Sequence, residues 1–221
     1  LEIQILIGIF AVGITILAAA LWLLYARFNQ QPQAYRWLAY TLSFSFSCDM
    51  LSVVIRIFGG NSNIGGTLYS IGFVIFFSAF FYQILRGKIL LGMLYIVNAC
   101  FLVFVLYNAI FVQKLTINSY SNIIGSGIIL ALCILYYFKL LRDLPAERVY
   151  NLPLFWVVSA FFFTKSGKFV LYLVIQYLRH LEDNLVILWM IHNSLTIIEN
   201  LLVAYGAWLQ YKSIQHQPKL S

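Results

Sequence analysis

Apolar runs about as long as a lipid bilayer is thick repeat along this chain, broken only by short polar connections. That repetition limits the fold more than any other feature. A spanning helix needs about 20 predominantly apolar residues. The 221 residues therefore have room for seven or eight spans if the loops are short. Seven runs are read as helices: Ile3 to Tyr25, Trp37 to Phe58, Gly66 to Ile84, Leu90 to Val112, Ser121 to Phe138, Leu154 to Tyr177, and Leu185 to Leu209. Gly59, Gly60, Asn61, Ser62 and Asn63 form a turn signal between the second and third runs. Arg86, Gly87 and Lys88 form a connection so tight that its flanking helices should be antiparallel neighbours. Asn151 and Pro153 suit a helix start, with proline in the first turn. The expected class is all-α, a polytopic transmembrane bundle of seven helices forming one domain over residues 1–221.

Composition agrees. Hydrophobic residues make up 62% of the chain and charged residues 10%, against about 25% charged in a soluble domain. So few polar groups cannot cover a water-facing surface of this size. No stretch is left over for an extramembrane module of roughly 50 residues, so a soluble catalytic or DNA-binding domain is not expected within it. The net charge of +7 does not point to nucleic acid, because the basic residues sit mostly between apolar blocks. The inner face of a membrane attracts them there. Cys48, Cys100 and Cys133 lie inside apolar blocks without metal-ligand spacing and read as small buried hydrophobes. Ala18, Ala19 and Ala20 resemble a signal-peptide cleavage site, but Leu21 to Leu24 continue the apolar run, which favours a true first span.

Lysine and arginine in the connections orient the bundle. One side carries nine: Arg27, Arg36, Arg86, Lys88, Lys139, Arg142, Arg148, Lys212 and Lys219. The other carries only two, Lys114 and Arg179. The N-terminus is expected outside and the C-terminus in the cytoplasm, which requires an odd number of spans. Trp37, Tyr107, Tyr150, Trp156, Tyr177 and Tyr211 fall near span ends, as in an interfacial aromatic belt. The Phe-rich stretch Phe73 to Phe81 is expected to pack or face lipid, and Gly125, Gly127 and Gly167 to permit close helix contact.

Polar side chains inside the spans carry the functional signal, because they are costly there and usually face the bundle interior. They are Asp49 and Arg56 in the second helix, Asn98 in the fourth, Lys165 and Lys168 in the sixth, and His192, Asn193, Glu199 and Asn200 in the seventh. Asp49 and Arg56 are seven apart and share a face. Lys165 and Lys168 are three apart, with Tyr172 four further on. His192, Thr196 and Glu199 form a stripe, with Asn193 and Asn200 beside it. At about 1.5 Å per residue, the charged groups of helices two, six and seven occupy overlapping layers in the central to outer membrane. Two readings stay open. These residues either form a salt-bridge network that fixes helix packing, with Asp49 or Glu199 neutralising the lysines, or they line a ligand pocket. A zinc site is not indicated, since His192 is the one histidine inside the expected helices. The seventh helix lacks the lysine that a retinal Schiff base needs in the microbial rhodopsin pattern. No nucleophile elbow, phosphate loop or paired-cysteine motif occurs, and no catalytic residue, cofactor or metal is assigned.

Three stretches carry a resemblance: SFSCDMLSVV in the second helix, NLPLFWVVSAFFF entering the sixth, and IHNSLTIIENLLVAYG in the seventh. They resemble a group of small bacterial seven-helix membrane proteins typical of Bacteroidetes. In that pattern Asp49 matches an acidic position. Pro153, Phe155 and Trp156 open the sixth helix, His192 and Asn193 form a pair, and Asn200 matches an asparagine. The resemblance implies a sensory module of the bacterial inner membrane that works with a signalling partner such as a histidine kinase. Lys165 and Lys168 depart from the pattern and suggest a carboxylate-binding role particular to this chain.

The leading expectation is a receptor-like sensor binding a small anionic or lipidic ligand at the polar layer. Its partners are membrane lipids, that ligand, and a cytoplasmic or membrane signalling protein. The alternatives are a membrane-embedded lipid-modifying enzyme and an ion or solute transporter.

Overall fold

A computed structural model describes residues 2–61, 63–114, 118–143, 149–178 and 185–216. Seven long helices account for nearly all of them: α1 (Glu2–Tyr25), α2 (Gln33–Ile57), α3 (Asn63–Leu85), α4 (Lys88–Tyr107), α5 (Ser119–Asp143), α6 (Pro153–Leu178) and α7 (Leu185–His216). No strand occurs among the described residues. Six helices, α2 to α7, are long and apolar enough to cross a membrane, and α1 adds a shorter apolar segment, Ala11–Tyr25.

The helices overrun their expected ends. Lys139 and Arg142, expected in a connection, lie on the last turns of α5, Arg36 on the first turn of α2, and Lys212 inside α7. They stay near the helix ends, so their value as topology markers is unchanged. Glu147, Arg148, Arg179, Asp183, Lys219 and Ser62 lie outside the described residues. Pro153 is the first residue of α6, where its missing N–H costs nothing. A π-turn, Asn108–Val112, closes α4.

The surface is apolar. Trp22, Ile89, Tyr95, Ile96, Val103 and Phe111 all stand out from the bundle. An exposed apolar surface of this extent is unstable in water and natural in lipid. Serine and threonine are handled as lipid requires. Thr41, Ser52, Thr164, Ser166 and Thr196 each donate to the carbonyl four residues back.

Six helices form a ring in the order α1, α2, α3, α5, α6, α7, closed by α1 against α7. α4 lies outside it against α3 and, more lightly, α5. It is the most apolar and least buried of the candidate spans. α1 and α7 run parallel. Asn200 Nδ2 donates to the Gly13 carbonyl at 3.1 Å, and Arg27, just beyond the end of α1, lies 5.4 Å from the centre of the Tyr211 ring further along α7. α6 and α7 run antiparallel and very close. A Cβ on Gly206 would stand 2.7 Å from Val157 Cγ2 and 2.9 Å from the Pro153 carbonyl, and one on Gly167 would meet the Leu195 methyls. Gly125 also sits tightly, against Phe101 and Val74. Gly127 faces open space, so the expectation of a helix contact there fails.

The apolar core occupies the end of the bundle where α1 finishes and α2 begins. Its centre is Leu24, Leu38, Phe77, Phe80, Phe81, Val157, Val158, Phe161 and Val203, all essentially inaccessible. Phe77 meets Phe161 edge to face at 4.4 Å between ring centres, so the Phe-rich run packs rather than facing lipid. Cys48 and Cys133 are buried, but Cys100 is exposed on α4, contrary to the reading of all three as buried.

Candidate functional site

Close packing of α6 on α7 brings three charges together. Lys165 Nζ lies 3.6 Å from Glu199 Oε1, and Lys168 Nζ lies 3.3 Å from Glu199 Oε2. The three side chains are 4%, 8% and 8% exposed, in the order Lys165, Lys168, Glu199. The two lysines are three residues apart and so share one face of α6, which lets a single carboxylate meet both. The separations exceed the roughly 2.7–2.9 Å of a tight charge-assisted hydrogen bond. The group is held by attraction shared among three charges rather than by one short bond. Lys165 gains a second partner, with its ammonium 4.2 Å from the centre of the Phe73 ring on α3. Of the two carboxylates that could have neutralised the lysines, Glu199 is therefore the one in contact.

Asp49 completes the charge balance differently. It is accessible, yet lies within electrostatic range of Lys168, Lys165 and Glu199. Tyr69 and Tyr172, both half-buried, lie within range of Asp49 and Glu199. Asp49 therefore stands at the edge of the charged group, open to the surroundings. His192 is half-buried one turn beyond Thr196, with its ring centre 6.0 Å from that of Tyr172 and 5.6 Å from that of Trp189. The Thr196 hydroxyl is committed to the His192 carbonyl at 2.9 Å. Counting from the far helix ends, Asp49 is about 12 Å in, Lys168 about 15 Å and His192 about 10 Å. Lys165 and Glu199 are about 20 Å in, near mid-helix, so the polar group runs from the middle of the bundle, beside Phe73 of the core, toward the end opposite the phenylalanine-rich core.

The remaining expected residues lie elsewhere. Asn98 faces α3 from α4, accepting from Ser78 Oγ at 3.1 Å, away from the α6–α7 charges. Arg56 is exposed in the last turn of α2. Asn193 is half-buried beside His192. Asn200 tethers α7 to α1 instead of extending a line with Asn193.

A second polar network, not anticipated from the sequence, ties α3, α4 and α5 together. Thr67 donates to Asn118 Oδ1 at 3.0 Å, Asn118 Nδ2 to the Asn63 carbonyl at 2.9 Å, and Ser70 to Asn122 Oδ1 at 2.8 Å. Asn108 Nδ2 donates to Gln113 Oε1 at 2.8 Å and Ser121 Oγ at 3.1 Å, and Gln113 Nε2 to Ser119 Oγ at 2.8 Å. The cluster of uncharged polar residues from Asn108 to Asn122 was its available signal. It read as a loop because most of it flanks a connection. Phe73 was also missed as a cation partner, since its periodicity matches ordinary core.

Among the described residues no three histidine, cysteine or acidic side chains converge as metal ligands. The arrangement is suited to electrostatic recognition: two buried ammonium groups share one carboxylate, with Asp49, Tyr69 and Tyr172 within electrostatic range of the group. The fold and site together define a multi-helix membrane-type bundle with a charged centre. No family model, no curated protein and no solved structure matches this chain.

Proposed function

We propose that this chain is a receptor-like, sensory membrane protein of seven spans, with its N-terminus outside and its C-terminus in the cytoplasm of a bacterial inner membrane. The parallel course of α1 and α7 supports an odd number of crossings, and the loop charges support the orientation. The ligand is a small monocarboxylate entering from the outer side. One observation carries this reading: two buried lysines share a single glutamate at 3.3 and 3.6 Å, near the accessible carboxylate of Asp49 and the half-buried rings of Tyr172 and His192. A ligand carboxylate competes with Glu199 for Lys168, loosens α6 from α7, and alters the cytoplasmic ends of both helices for a signalling partner. The resemblance to small Bacteroidetes seven-helix proteins belongs to the same proposal.

Trp189 stands beside His192, whose ring also meets Tyr172, and so reports on these residues. Tryptophan fluorescence of the protein in nanodiscs, titrated with straight-chain monocarboxylates from acetate to octanoate, should show a saturable change that Lys168→Met abolishes. An equal response in that variant, or none at any chain length, overturns the assignment. Transport is less well supported, because Phe77, Phe80, Phe81 and Phe161 stand across any polar path toward the basic end.

A further inference from the structure

At the other end of the bundle, a cavity of about 320 Å³ opens between the α3–α4 turn and the last turns of α5. Its walls are Leu85, Leu90, Leu135, Phe138, Lys139 and Arg142. Their order along α5 matters. Leu135 and Phe138 lie deeper, and Lys139 and Arg142 lie toward the helix end, all within about 10 Å of rise. Apolar wall below and cations above follow the gradient of a phospholipid, with acyl chain inward and phosphate at the surface. Phe138 and Leu135 are themselves open to the surroundings, so a chain can lie along them from the bilayer.

One cation is held in place and the other can turn toward an anion. Lys139 Nζ donates to the Ile84 carbonyl at the end of α3, at 2.7 Å, which fixes the ammonium over the cavity and leaves two N–H bonds to give. Arg142 pairs with Asp143 at 3.1 Å, but both are largely exposed, and such pairs are weak enough for the guanidinium to turn to a stronger anion. Asp143 is the one acidic residue on these turns among the described residues.

We propose that this cavity is a binding site for an anionic phospholipid, whose phosphate is held by Lys139 and Arg142 and whose acyl chain lies against Leu135 and Phe138. The site rests on the chain being membrane-embedded and is independent of any ligand at the α6–α7 charges.

Native mass spectrometry of the full chain, released from micelles carrying phosphatidylglycerol or phosphatidylcholine, tests this. Phosphatidylglycerol should be retained over phosphatidylcholine, with the preference falling about fivefold for each cation removed by Lys139→Gln and Arg142→Gln. Leu135→Trp keeps both cations and fills the apolar wall, so it should also lose the adduct. Arg27→Gln with Lys212→Gln, which removes two charges elsewhere at the same end, should not. Equal retention of the two lipids overturns the proposal, as does full retention by the Lys139 and Arg142 variants or equal loss in the Arg27 and Lys212 variant. Retention of inorganic phosphate in place of lipid would also overturn it. Unchanged melting temperatures for Leu135→Trp and Arg142→Gln separate loss of the site from loss of the fold.

Discussion

A buried carboxylate shared by two ammonium groups is costly to dismantle one partner at a time. Glu199→Gln leaves Lys165 and Lys168 buried together without a carboxylate in contact, and removing one side of a buried pair typically costs about 3–5 kcal/mol. Thermal unfolding in a mild detergent should show that loss. Lys168→Met should cost less, because Lys165 keeps both Glu199 and the Phe73 ring. Replacing all three at once with Lys165→Met, Lys168→Met and Glu199→Leu should leave stability near the starting value, since buried ion networks are often no better than apolar packing. The triple variant then separates the two roles left open by the sequence. A purely structural network tolerates it with no other consequence, whereas a sensing pocket keeps its fold and loses its carboxylate response.

Glycine has opposite consequences on different helices. Gly206 lies where α7 touches the first turn of α6, so Gly206→Ala must push against Val157 and the Pro153 carbonyl. Overpacking of this kind costs about 1–3 kcal/mol. Gly127→Ala on α5 meets nothing, and should stabilise the helix by about 0.5–1 kcal/mol through alanine's better helix propensity. Melting temperatures of the two variants should therefore move in opposite directions. The sequence showed both residues as glycines within apolar helices and could not tell them apart. Which glycine meets a neighbour depends on the rotation of its helix about its own axis, set by packing across the bundle. The same limit explains Asn98 and Asn200. Each was visible as a costly polar residue in a span, but their partners are Ser78 on α3 and Gly13 on α1, far away in the chain.

For the molecule as a whole, orientation is the expectation most open to test. Asn61 is exposed at the α2–α3 connection, and Ser213 is exposed near the end of α7. With the native cysteines replaced by serine, Asn61→Cys should react with a membrane-impermeant maleimide applied to spheroplasts, and Ser213→Cys only after permeabilisation. The reverse pattern would invert the topology, and equal labelling of both from one side would remove the odd span count. The asymmetry within the bundle, phenylalanine-packed at one end and charged toward the other, also predicts where motion concentrates. Hydrogen exchange should be slowest around Phe77, Phe81 and Phe161.

Hydropathy alone determined the all-α class, the approximate position of seven helices and the existence of a polar layer. Each of these follows from the bilayer as solvent, which acts on every residue in the same way wherever its partner lies. Glu199 as the shared counter-ion, Phe73 as a cation partner, the α3–α4–α5 hydrogen-bond network and the peripheral place of α4 were decided only by tertiary structure. They depend on which faces of separate helices meet, and that is settled by side-chain shape and glycine clearance at contacts such as Gly206 on Val157, not by the composition of any single span.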